Sequence, residues 1–213
     1  MKKFIFVLTF FAGLMFSSCN KCTNTLQQNL TDSVKVAELV VENIISTDRQ
    51  AMYLKVGEDY RWYETCILLP YYLDSDSVIS TPVMVSNVFQ SIVAKGNGYD
   101  TWVYKFQHFP DGTCLIDSVQ GFWIEDSPLN DNEINLKYTE AFDKVMQTNS
   151  PKPHSRQVCL REPVGPLPVN AQYVFGNIRE QLWIDAVNGN VVNSCPAFPI
   201  DVEGFKMPLG EWP

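Results

Sequence analysis

From residue 31 onward, apolar positions fall at helical spacing. Val34, Ala37, Val41, Ile44 and Ile45 share one face, with Thr31 or Asp32 placed to cap it. Thr47 or Asp48 can cap a further helical stretch through Ala51, Met52 and Leu54, and Gly57 ends it, so the pattern predicts one long, kinked helix. The period then changes to two. Strands are expected over 60–69, 82–95, 99–109 and 113–124, the last three separated by Gly96-Asn97-Gly98 and Pro110-Asp111-Gly112, both hairpin turn sequences. In the third strand Trp102, Tyr104, Phe106 and His108 alternate with Thr101, Val103, Lys105 and Gln107, which places one aromatic face inward against the opening helix. Residues 126–133 interrupt every period and mark a domain boundary. The order then repeats. Thr139 can cap a short helix carrying Ala141, Phe142, Val145 and Met146, which stops at Ser150-Pro151, and strands follow over 156–161, 171–175, 180–186 and 190–192.

The predicted fold class is therefore α+β: two small helix-plus-antiparallel-meander domains, 31–126 and 134–195, followed by a Pro- and aromatic-rich tail over 196–213. Ahead of them Lys2 and Lys3 precede an apolar run over 4–16, the length of a signal-peptide core and too short to cross a bilayer comfortably. Phe16-Ser17-Ser18-Cys19 closes that run, and two small residues before a cysteine resemble the lipobox of bacterial lipoproteins. The resemblance implies removal of 1–18, lipidation of Cys19 and a polar tether over 19–30. Asn20 follows Cys19 where an Asp would favour inner-membrane retention. No acidic cluster comes after it, so the expected address is the outer membrane, facing the periplasm.

Charge narrows the partners. Sixteen Lys and Arg against 24 Asp and Glu give −8, the wrong sign for binding nucleic acid through phosphates. Two His leave little for acid–base or metal chemistry. Besides Cys19 the chain has Cys22, Cys66, Cys114, Cys159 and Cys195, an odd number with no metal or thioredoxin spacing among them. Cys66 and Cys114 sit in apolar strand-like runs and read as buried thiols. No catalytic residue, metal or cofactor is expected. His154, Arg156 and Cys159 are close only in sequence, Asp74-Ser75-Asp76 lacks the Gly and distant Glu of a calcium loop, and Glu125, Asp126, Asp131 and Glu133 read as surface charge. Trp102, Tyr104 and His108 are the candidate ligand-facing residues, because a helix across a curved aromatic sheet can leave an apolar pocket. Asp32-Ser33-Val34, Asp76-Ser77-Val78 and Asp117-Ser118-Val119 resemble a three-residue O-glycosylation pattern used by one group of Gram-negative bacteria.

Two resemblances bear on fold. Thr139-Glu140-Ala141-Phe142, Tyr173 and the run from Leu182-Trp183-Ile184-Asp185 through Ala186-Val187-Asn188-Gly189 to Asn190-Val191 resemble the PepSY family of small α+β modules. In that last segment Asp185 can bond turn amides and Gly189 allows positive φ, so both are structural turn residues. The resemblance implies a module that acts by binding a protein or peptide, often as an inhibitor or intramolecular chaperone of a peptidase, with no catalytic residues. The first half is similar in element order to the cystatin or nuclear-transport-factor-like cone. The expected function is thus a non-enzymatic envelope lipoprotein that binds a protein or peptide partner and modulates a peptidase. The alternative is a small-molecule carrier using an aromatic cavity in the first domain.

Overall fold

The computed structural model describes residues 38–96, 98–123, 126–163, 170–177 and 180–192. The lipobox with Cys19, the tether, Cys22, Glu125, Cys195 and the tail lie outside them, as does the first part of the predicted helix.

Glu38 to Val40 are not helical; helix α1 covers Val41–Val56 and stops at Gly57, whose N–H donates to Tyr53 O at 2.8 Å. It is one continuous helix. Thr47 does not cap a second segment but bonds the carbonyl of Asn43 one turn back, and Asp48 is buried in the middle of the helix. Four antiparallel strands follow as a meander: β1 (Tyr60–Leu68), β2 (Met84–Lys95), β3 (Gly98–His108) and β4 (Cys114–Gln120). A register shift between Trp62 and Glu64 lets Trp62 and Thr65 both face the core.

The segment expected to be a linker contributes β5 (Asp126–Ser127) and a single turn over Asp131–Glu133. Helix α2 (Tyr138–Gln147) follows, then β6 (Gln157–Pro163), β7 (Gln172–Gly176), β8 (Gln181–Asp185) and β9 (Val191–Val192). Thr139 lies inside α2. The helix starts after Lys137, because the Glu140 carboxylate reaches back to accept from the Lys137 N–H at 2.9 Å.

The two meanders are not separate sheets. β1 pairs β6 antiparallel from Glu64↔Arg161 to Leu68↔Gln157, and the strands form one sheet in the order β4-β3-β2-β1-β6-β7-β8-β9, with β5 paired to β6. The first strand of each helix-and-meander unit meets its counterpart in the middle, antiparallel, at the β1/β6 seam. Both helices lie on the same face. One core cluster runs through both, joining Val41, Ile45 and Met52 of α1 to Ile67, Phe89 and Phe106 and on to Val158, Phe175, Phe142 and Val145. The helices also touch: Glu42 accepts from the first N–H of α2 at Tyr138 (2.8 Å), whose hydroxyl donates to Ser80 O at 2.9 Å. Neither described helix is long and apolar enough to cross a membrane.

Candidate functional site

Alternation divides the sheet residues between two faces, and each face carries polar chemistry. On the helix side Trp102, Tyr104, Phe106 and His108 line up along β3 under α1. Trp102 is half-buried and its indole N–H donates to Asp100 (2.9 Å). Tyr104 is buried, with the Lys55 ammonium 5.0 Å above its ring, and Phe106 meets Phe89 edge-on. This row packs into the core. His108, at its end, places Nε2 2.8 Å from Oδ1 of Asp48, which is 2% exposed and also accepts from Asn87 Nδ2 at 2.7 Å. Asn87 Oδ1 in turn accepts from the Thr65 hydroxyl, and that oxygen accepts from the Trp62 indole N–H at 3.2 Å. A buried carboxylate needs such partners to offset its desolvation. The chain of bonds fastens the middle of α1 to β1, β2 and β3.

Cys114 lies beside this network, its Sγ 3.8 Å from His108 Nε2. Cysteine, histidine and aspartate together invite comparison with a nucleophile relay. In a relay, however, the imidazole turns one nitrogen to each neighbour. Here both neighbours meet Nε2, so the ring is anchored to Asp48 and does not stand between two neighbours as a relay imidazole does. Beyond His108 an open cleft of about 220 Å³ runs past Leu39, Val40, Ile44, Phe109 and Thr113.

The opposite face carries neither helix. Its central row, across the seam, is Leu115, Gln107, Ser86, Cys66, Cys159, Val174 and Trp183; the next is Asp117, Lys105, Val88, Glu64, Arg161 and Gln172. At one end the connection after β4 crosses this face, where Trp123 N–H donates to the Gln90 side chain at 3.1 Å. Cys66 and Cys159 are direct partners in the β1/β6 ladder, and Cys66 Sγ donates to Glu64 Oε1 at 3.0 Å. The Cys159 thiol beside it, burial and the Glu64 charge push the Cys66 thiol well above its ordinary range. Burial lowers the Lys105 ammonium, opposed by the attraction of Cys66 and Glu64. Among the described residues, Ser86 Oγ, Gln172 Oε1 and Arg161 Nε on this face are buried without a hydrogen-bond partner, although Arg161 Nε lies 3.6 Å from Asp126.

The remaining candidates fall elsewhere. Asp185 accepts from the N–H groups of Val187 (2.8 Å) and Asn188 (3.1 Å) and from the amides of Asn188 and Asn170, while Gly189 has φ +72°. His154 is exposed, stacked on Tyr72 and 2.9 Å from Asp74, whereas Cys159 faces Cys66, so the two sit in different surroundings. Ser77 and Ser118 of the glycosylation-like triplets are exposed. Asp126 is not surface charge: its side chain is fully buried beside Arg161 Nε (3.6 Å) and the Trp123 indole N–H (3.4 Å). Asp131 pairs with Arg49. Sequence reasoning missed the Glu64–Cys66–Cys159 group. Its only local trace is that Glu64 and Cys66 alternate with Thr65 and Ile67, which puts a cysteine on the polar face of its strand.

Compared with known proteins, the chain matches no family model, no curated protein and no solved structure.

Proposed function

We propose that the protein is a non-enzymatic lipoprotein of the cell envelope, held to the outer membrane by lipid on Cys19 and facing the periplasm, that binds a protein or peptide partner through the helix-free face of its sheet. The observation that carries this reading is that neither helix lies on this side of a sheet continuous from β4 through the seam to β9, where Leu115, Lys105, Glu64, Arg161 and Trp183 stay partly exposed between the buried Ser86, Val88, Val174 and Gln172. The face mixes both signs of charge, Lys105 and Arg161 with Glu64 and Asp117, and adds amides, Leu115 and the half-buried Trp183. Arg and Trp set among polar groups make up the chemistry on which protein interfaces depend. The PepSY-like residues of 134–193 favour a peptidase as the partner to be modulated. The helix-then-meander order of each half favours reading them as cystatin-like and PepSY-like units fused through one sheet.

Capture from envelope extract by the lipid-free mature chain, read by mass spectrometry, tests the proposal when run beside surface variants. A partner retained by the natural chain should be lost, about tenfold or more, in Leu115→Asp and Trp183→Ala. It should be kept by Tyr53→Ala on the exposed side of α1. Loss in the helix-side variant with retention in the other two would overturn the reading. The cleft at His108 favours small-molecule binding as a second reading. At about 220 Å³ it is smaller than the roughly 300–1,000 Å³ of most ligand sites, which ranks it below the sheet face. Native mass spectrometry showing a bound molecule that His108→Ala releases would reverse that order.

A further inference from the structure

The ladder at the seam fixes how Cys66 and Cys159 meet. Leu69 N–H donates to Arg156 O at 2.8 Å, and these residues continue the β1/β6 register by one rung beyond Leu68↔Gln157. Hydrogen-bonded and non-bonded rungs alternate in an antiparallel pair, so Ile67/Val158 is bonded and Cys66/Cys159 is not. Non-bonded rungs bring their Cα atoms to about 4.5 Å, inside the roughly 4.4–6.8 Å a disulfide spans and near its short end. Both side chains rise from the same face, and their sulfurs and a Glu64 carboxylate oxygen all lie within 4.8 Å of one another. Both residues are half-buried on the helix-free face.

We propose that Cys66 and Cys159 form an exchangeable disulfide that locks the seam between the two halves of the sheet. The oxidant is a disulfide, either of a protein thiol–disulfide oxidoreductase or of oxidised glutathione. The Cys159 thiolate attacks one donor sulfur, the donor S–S bond breaks, and the first donor thiolate leaves and takes the proton given up by Cys159. Cys66 then attacks the mixed disulfide at the Cys159 sulfur, its proton passing to Glu64 and on to solvent, and the second donor thiolate leaves. Two electrons have moved from the pair to the donor, and the two protons released end on the departing thiolates, one directly and one by way of Glu64 and solvent. A bond closed at the short end of the usual span is expected to be reopened by a thiol donor, which makes it exchangeable rather than permanent.

A metal ion is the rival occupant of these three groups. It fits less well: they supply three ligand atoms among the described residues, and Lys105 brings a cation close enough to feel both thiols and Glu64. Cys114 lies on the other face beside His108. The inference does not rest on partner binding, since any disulfide donor tests it.

The reduced mature chain would be equilibrated with oxidised glutathione, alkylated after unfolding, digested and read by mass spectrometry. The expected product is a Cys66–Cys159 cross-linked peptide two hydrogens lighter than the paired thiols, which dithiothreitol reverses. It should be unchanged in Cys114→Ser. In Cys66→Ser it should be replaced by a glutathione adduct on Cys159. Should Cys66→Ser fail to fold, Glu64→Gln gives a second reading: slower closure to the same end point. Full alkylation of both cysteines, a pairing with Cys22, Cys114 or Cys195, or stoichiometric zinc shielding both thiols without loss of hydrogen would each overturn the proposal.

Discussion

Two buried carboxylates, Asp185 and Asp48, are satisfied in different ways, and the difference governs what each does for the chain. Asp185 sits at the end of β8 and is surrounded by donors from its own turn and from Asn170. Burial alone would raise its pKa, but the hydrogen bonds from Asn170, Asn188 and Val187 outweigh burial and hold the carboxyl below its ordinary range. A group depressed in the folded chain adds stability that is complete above its unfolded pKa and lost as pH falls through the folded one. Asp185→Asn should therefore lower the unfolding free energy near neutral pH by about 1 kcal/mol. It should also flatten the fall in stability below about pH 4. Urea titrations of both proteins across that range check it, and equal acid slopes would remove Asp185 from the acid response. This turn is legible in sequence because the Val187 and Asn188 donors and Gly189 lie within a few residues of Asp185; the Asn170 bond is not. Nor is Asp48. Its partners, Asn87 and His108, arrive from β2 and β3, so helical spacing alone reads it as a cap on the surface.

Hairpins were the most legible elements for the same reason, since a turn fixes the register of the strands beside it. β2, β3 and β4 follow the expected strands closely at the two separators, although β4 ends at Gln120, before the 124 expected. Two helix starts fell differently, α1 at Val41 and α2 at Tyr138, the latter set by a local bond from the Lys137 N–H to Glu140, and the long-range pairing of β1 with β6 left no local trace in the sequence. The β7–β8 hairpin offers a sharp test of local geometry. Gly176 has φ +123°, and a Cβ there would lie 2.0 Å from the backbone oxygen of Glu180, so backbone must move to admit it. At Gly189, φ +72°, a Cβ would meet only the flexible end of Lys144, at 2.8 Å. Gly176→Ala should cost about 2–3 kcal/mol and Gly189→Ala about 1 kcal/mol. Urea unfolding of the two variants decides it; the reverse order would mean that the hairpin relaxes more readily than its close approach implies.

At the scale of the molecule, the repeated helix-then-meander order was readable, and the separation placed at 126–133 followed from broken periodicity. Periodicity marks where an element stops and is silent on which strands later become neighbours. Asp126 and Ser127 pair with β6, Leu129 N–H donates to Trp62 O (2.7 Å), and Val158 and Leu160 of β6 are buried in the same cluster as Ile67 of β1. Splitting the chain at the boundary would strip β6 of its β1 partner, remove Glu42 from the first amide of α2 and take the Ser80 acceptor from the Tyr138 hydroxyl. It would also expose an unpaired strand edge next to core residues, a surface that favours aggregation. The chain should accordingly unfold in one calorimetric transition whose van't Hoff and calorimetric enthalpies agree, and a fragment covering 134–195 should show no cooperative unfolding of its own. Two resolved transitions, or a cooperatively folded fragment, would return the molecule to a pair of independent domains. The outcome also bears on function. A partner that grips both halves of the helix-free face needs them held as one body, and the β1/β6 ladder is the element that holds them.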